Sequence, residues 1–152
     1  MAQMSLDTRF GPLCITEEDG AIVRLSWGHA ERPDGTDLLR RACDQLQAYD
    51  AGELETFDLP LDVRGNMLVR AVCGEMSRIP FGQTRTYGEI AERVGASAQS
   101  VGQACGRNPV PVIIPCHRVM GAGGKLTGFS GGAGVETKVA LLRHEGAAGL
   151  LI

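Results

Sequence analysis

The 152-residue chain is short of the features that would take it out of the ordinary globular class. No basic-then-apolar leader stands at Met1–Phe10, and the longest wholly apolar run, Val110–Cys116, falls far below the ~20 residues a membrane-spanning helix needs. The expectation is a cytoplasmic protein with no membrane partner. No Cys-x-x-Cys pair occurs: Cys14, Cys43, Cys73, Cys105 and Cys116 form an odd, scattered set. That pattern argues against a disulfide framework and against a zinc cage, and it leaves at least one thiol free. Residues 1–63 also lack metal-spaced His or acid clusters, phosphate-cradling glycine loops and internal repeats, and no metal or cofactor is expected. The length suffices for one to two domains without staples.

What is present is unevenly distributed. From Met1 to Val63 there are five Arg and thirteen acids, a charge of -8; from Arg64 to Ile152 there are ten Lys or Arg and five acids, +5. Local potential steers association more than net charge does, so a polyanion would meet the back part only. A merely solvated surface is the competing reading. The composition shift places a boundary at 63/64, giving an α/β domain at 1–63 and a second domain at 64–152.

In the first, Pro12–Glu17 and Ala21–Trp27 read as strands joined by a hairpin turn at Asp19-Gly20, after an irregular start. Leu38, Leu39, Ala42, Leu46 and Tyr49 recur at helical spacing, predicting a helix over Asp37–Tyr49 with Asp37 as its cap. Leu54–Val63 alternates weakly, and Pro60 restricts it to an edge strand. In the second domain the pattern predicts a helix over Asn66–Ile79. Thr86-Tyr87-Gly88-Glu89 is a capping box opening a helix over Tyr87–Val94 that Gly95 stops. A further helix runs from Ser97 or Ala98 to about Arg107, and the pair reads as a helix-turn-helix. The small residues of the second helix, with Gly102 and Gly106 four apart on one face, suit either close packing inside the protein or close approach to a nucleic-acid groove. Gly121–Gly134 holds seven glycines in fourteen residues, which suits a surface loop or a backbone wall against a planar ligand. A last helix over Val135–Glu145 puts Lys138, Leu141, Leu142 and Glu145 on one face.

The densest chemistry lies in Asn108-Pro109-Val110-Pro111-Val112-Ile113-Ile114-Pro115-Cys116-His117-Arg118-Val119. Three prolines confine a short apolar run and deliver a thiol and an imidazole side by side at a fixed place. A thiol attacks as thiolate, and a neighbouring imidazole makes that form accessible. Adjacent residues seldom hydrogen-bond directly, so His117 would reach Cys116 through a water, with Glu145 accepting from the far ring nitrogen. The same parts fit a cysteine hydrolase, and a buried structural Cys beside an exposed His is the plain alternative.

The whole phrase resembles the active-site signature of the O6-alkylguanine-DNA alkyltransferases, and the resemblance runs from about Arg64 to Gly146, with the front third similar in general layout. It implies a ribonuclease H-like α/β N-terminal domain and a mostly α C-terminal domain with a winged-helix-like helix-turn-helix. The implied activity is DNA repair by stoichiometric, irreversible transfer of an alkyl group to Cys116. The donor would be O6-alkylguanine, or O4-alkylthymine, flipped out of duplex DNA bound through its minor groove. The implied form is a monomer, without cofactor. By the same resemblance His117 is the water-mediated base and Glu145 its partner. Tyr87 gives a proton to the leaving guanine, Asn108 is the hinge, and Lys138 supports the acceptor. Val119 and the Cys116 carbonyl read the guanine amino group, Ser130 offers its amide to O6, and Phe129 walls the base. Ser100, Gly102, Gln103, Gly106 and Arg107 lie on the DNA-facing helix. Two positions depart from the family: Gln99 stands where an intercalating arginine is expected, leaving Arg107 or Arg93 to supply charge, and Phe129 replaces a tyrosine. A related family of non-catalytic lesion binders lacks the cysteine that this chain has.

Overall fold

A computed structural model describes residues 1–126, 129 and 131–147. The chain forms two compact units, Met1–Val63 and Arg64–Ile152.

The first unit is a three-stranded antiparallel sheet, β1 (Ala2–Thr8), β2 (Gly11–Glu18) and β3 (Ala21–Trp27), in that spatial order, with α1 (Asp37–Asp50) against β1 and β2. The turn between β2 and β3 puts Asp19 at φ 51° and Gly20 at φ 79°, the left-handed pair that an Asp-Gly hairpin supplies at least steric cost. Leu13 and Ile15 of β2, Ile22 and Leu25 of β3, and Leu39, Ala42, Leu46 and Tyr49 of α1 are all buried.

Three expectations are corrected here. The irregular start is strand β1; only Leu6 of its seven residues is buried, so it carries little apolar signal. The cap of α1 is Thr36, whose hydroxyl accepts from Leu39 N and donates to Glu17, while Asp37 is the first helical residue. Leu54–Val63 forms no strand among the described residues. Its contact with the sheet is the isolated bridge Ile22–Leu61, tied by Ile22 N to Pro60 O and Asp62 N to Ile22 O, both 2.9 Å.

The second unit is helical. α2 (Met67–Met76) is capped by Asn66 and ends three residues before the expected Ile79. β4 (Arg85–Thr86) leads into α3 (Tyr87–Val94), whose capping box is complete: Thr86 Oγ1 accepts from Glu89 N, and Glu89 accepts from Thr86 N. Gly95, at φ 70°, terminates α3, and Ser97 caps α4 (Ala98–Cys105), which stops two residues short of the expected Arg107. Helices α2, α3 and α4 pack mutually. β5 (Val119–Met120) pairs in parallel with β4, and α5 (Val135–Glu145) closes the unit. Among the described residues no helix is long and apolar enough to cross a membrane, and no group of three metal-ligating side chains converges.

Candidate active site

The segment between α4 and β5 is closed by a backbone bond from Ile114 N to the Val110 carbonyl at 2.9 Å and by one side chain. Asn108 Nδ2 donates to the Ile114 carbonyl at 2.8 Å, and its Oδ1 accepts from Val110 N at 3.0 Å. The loop so closed contains Val112 at φ 72°, a left-handed conformation that a β-branched residue adopts at a cost of about 1–3 kcal/mol. Burial of Val110, Val112, Ile113 and Ile114 offsets it. Pro115, without an amide hydrogen, ends the loop, and Cys116–Arg118 make a single 3-10 turn before β5. The thiol therefore sits between a stapled loop and a paired strand.

Behind it is a buried charged cluster. His117 is fully buried and its Nε2 lies 2.8 Å from Glu145 Oε2; the reading of a His beside a structural Cys as exposed is thereby excluded. Arg118 donates to both oxygens of the same carboxylate, Nε to Oε1 at 2.8 Å and Nη2 to Oε2 at 3.0 Å, and Nη1 donates to the Ile79 carbonyl at 2.6 Å. Burial pushes the Glu145 carboxyl up, but the hydrogen bonds and charges of His117 and Arg118 outweigh it and hold the group well below the usual carboxylate range. Glu145 is thus an anion that only accepts, which assigns the proton to His117 Nε2. Burial also lowers the imidazole's own pKa, against the pull of Glu145, so the ring is neutral at neutral pH and Nδ1 carries a lone pair. Nδ1 is buried without a hydrogen-bond partner among the described residues. That leaves a base, oriented and unengaged, on the residue next to the thiol.

Cys116 is itself a protonated thiol at rest. Burial raises its pKa, opposed by the hydrogen bond from the Asn108 side chain and by the positive charge of Lys138. Lys138 is fully buried; its Nζ donates to the Val119 carbonyl at 2.6 Å and lies 5.8 Å from the centre of the Tyr87 ring. The structure thus buries Cys116, His117, Val119, Lys138 and Glu145 in the second unit, with Tyr87 and Asn108 half-buried. On α4, Gln99 and Gln103 are exposed and Ser100 and Gly102 half-buried, and Gly106 and Arg107, just past its end, are exposed. Phe129 is half-buried, and Ser130 lies outside the described residues. Arg118 was missing from the expected set. Its partners are 27 and 39 residues away, and its one local signal is its place directly after His117.

The ribonuclease-like domain of the 6-O-methylguanine DNA methyltransferases matches residues 1–63, and their DNA binding domain matches residues 68–147. The chain belongs to this family. Within the 6-O-methylguanine DNA methyltransferases, it is 50% identical to the methylated-DNA–protein-cysteine methyltransferase of Mycolicibacterium paratuberculosis, over 97% of this chain and 96% of that one. Its namesake in Mycobacterium tuberculosis is 53% identical over 93% and 90%. A crystal structure of Mycobacterium tuberculosis OGT in complex with DNA superposes with a TM-score of 0.87 at 41% identity, covering 99% of this chain and 98% of that one. The match spans both units, each related to a domain of the family.

Proposed function

We propose that this chain repairs alkylated duplex DNA by moving an alkyl group from O6-alkylguanine, and from O4-alkylthymine, irreversibly to Cys116. The observation that carries this reading is the unengaged Nδ1 of a neutral His117, held by an anionic Glu145, beside the Cys116 thiol. His117 takes the thiol proton, through a bridging water, as the sulfur attacks the alkyl carbon. The imidazolium that forms is stabilised by Glu145. The carbon–oxygen bond breaks, Tyr87 protonates the departing base, and a thioether remains on Cys116. The thioether is not hydrolysed, so each molecule acts once. Lys138 lowers the cost of the developing thiolate by its charge and fixes the Val119 carbonyl, which with the Cys116 carbonyl reads the guanine amino group. Phe129 walls the extruded base, and Ser130 offers its amide to O6.

The duplex is met through the minor groove by α3 and α4, acting as a helix-turn-helix of the winged-helix kind, in the 64–152 domain. A Cβ built on Gly102 meets nothing within 4 Å, so protein packing does not require glycine there, and an approaching backbone or sugar does. Gln99, Ser100, Gln103, Gly106 and Arg107 complete that face, and Asn108 joins it to the acceptor loop. Flipping the lesion costs a few kcal/mol of unstacking, and Gln99 fills the gap without adding charge. The molecule acts as a cytoplasmic monomer. Replacing Cys116→Ala abolishes transfer from an O6-methylguanine duplex while leaving duplex binding largely intact; transfer at the wild-type level by that variant would overturn the mechanism.

A further inference from the structure

The buried cluster holds a cation that the transfer steps do not use. Arg118, 6% exposed, places Nε and Nη2 on the two oxygens of Glu145 at 2.8 and 3.0 Å and Nη1 on the Ile79 carbonyl at 2.6 Å. Its guanidinium carbon lies 5.9 Å from the centre of the Phe81 ring. Ile79 and Phe81 belong to the turn between α2 and β4, so the fork is fixed from two sides. Glu145 accepts three bonds from two residues, and Arg118 shares Oε2 with the His117 ring. The charges around that ring can be counted. Arg118 and Glu145 cancel, Lys138 adds one positive charge, and the protonated Cys116 thiol adds none. A second proton on His117 would bring this buried group to two positive charges. Without Arg118 the same proton would instead pair with a lone buried carboxylate 2.8 Å away, which favours the charged ring.

From this bidentate grip we infer that Arg118 is a positioning residue for the transfer: it neutralises Glu145, so that the carboxylate orients the His117 ring without loading a proton onto Nδ1, and it thereby sets the lowest pH at which the base works. That role rests on His117 being the base of the proposed transfer. The titratable and charged groups around the ring are Cys116 and Arg118 on its own turn and Lys138 and Glu145 on α5. Helix α2, which packs on the same turn, brings Cys73, a thiol that burial pushes up to about 11 and that stays neutral. Burial lowers the imidazole's pKa, Glu145 pulls it back up, and the charges of Arg118 and Lys138 lower it further. Removing Arg118 leaves the upward pull of Glu145 in place and takes away part of what opposes it.

The test follows the imidazole nitrogens of the full chain, which has three histidines, by NMR across neutral and acidic pH. In the wild type His117 is expected neutral at neutral pH, with its proton on Nε2. In Arg118→Met the ring takes its second proton about 1–3 pH units higher than in the wild type. Arg118→Lys keeps the charge without the fork and titrates closer to the wild type. In single-turnover transfer from an O6-methylguanine duplex the acid limb of the rate moves up with the ring. Arg118→Met regains its rate once the pH is raised above that limb, a recovery that a damaged fold would not show. Equal His117 midpoints in the wild type and Arg118→Met, or an Arg118→Lys chain that titrates like Arg118→Met, would overturn the role of Arg118. So would a doubly protonated His117 in the wild type at neutral pH, a result that needs no variant to fold. A wild-type chain that transfers nothing at any pH would contradict the proposed function instead, and the imidazole titration would still decide whether Arg118 governs the proton.

Discussion

The two units build their interiors by opposite rules. In Met1–Val63 the contact between sheet and helix is apolar, and Thr16 is its one buried polar residue among those described. In Arg64–Ile152 the apolar packing surrounds His117, Arg118, Thr137, Lys138 and Glu145. Burying charge is expensive unless every group is paired, and here Glu145 takes up the donors of two neighbours while Lys138 donates to the Val119 carbonyl. The first interior is an ordinary solution to folding. The second spends stability on holding an imidazole in one tautomer.

The largest effect expected from breaking that contrast comes from Glu145→Gln. It removes the negative charge but little volume, leaving Arg118 buried without its counter-ion, and costs about 3–5 kcal/mol by denaturant unfolding, with transfer slowed as His117 loses its anchor. The cost depends on pH. Glu145 has a folded pKa below its unfolded value, so its contribution is fully present above about 4.5 and fades as pH falls through the folded value. His117 has a lowered folded pKa, so below about 6.5 the unfolded chain binds a proton that the native ring does not. Both effects destabilise the native state in acid. The gap between wild type and Glu145→Gln should therefore narrow as pH drops below 4.5; a constant gap would show that Glu145 is not ionised in the native protein.

Next in size is Leu46→Ala in the apolar interior, which costs about 2–5 kcal/mol but leaves the transfer rate per folded molecule unchanged. A slowed rate at full folding would mean that the first unit takes part in the chemistry. Smallest is Gln99→Arg at the exposed face of α4. It adds one cation for the phosphates, tightening duplex binding and steepening the logarithmic salt dependence by up to about 0.9, without altering stability.

How much of this was legible follows from how local each feature is. The Asp19-Gly20 hairpin and the Thr86–Glu89 capping box are written in adjacent residues, and both read correctly. The face of α5 carrying Lys138 and Glu145 followed from helical spacing, and family resemblance marked the segment from Asn108 to Val119. Strand β1 was missed because it buries one side chain. Thr36 and Asp37 are both good capping types, and only the extended backbone at Thr36 decides between them. Arg118 owes its place to partners on other elements, and no spacing rule along the chain reaches it.

The central claim is that Cys116 is the single-use acceptor. It is tested most directly by mass spectrometry of the tryptic peptide Asn108–Arg118 after incubation with duplex DNA carrying O6-methylguanine. One methyl group confined to Cys116, saturating at one equivalent per chain, is the predicted result. An unmodified peptide from protein that nonetheless binds the lesion duplex, or demethylation continuing beyond one equivalent, would contradict it.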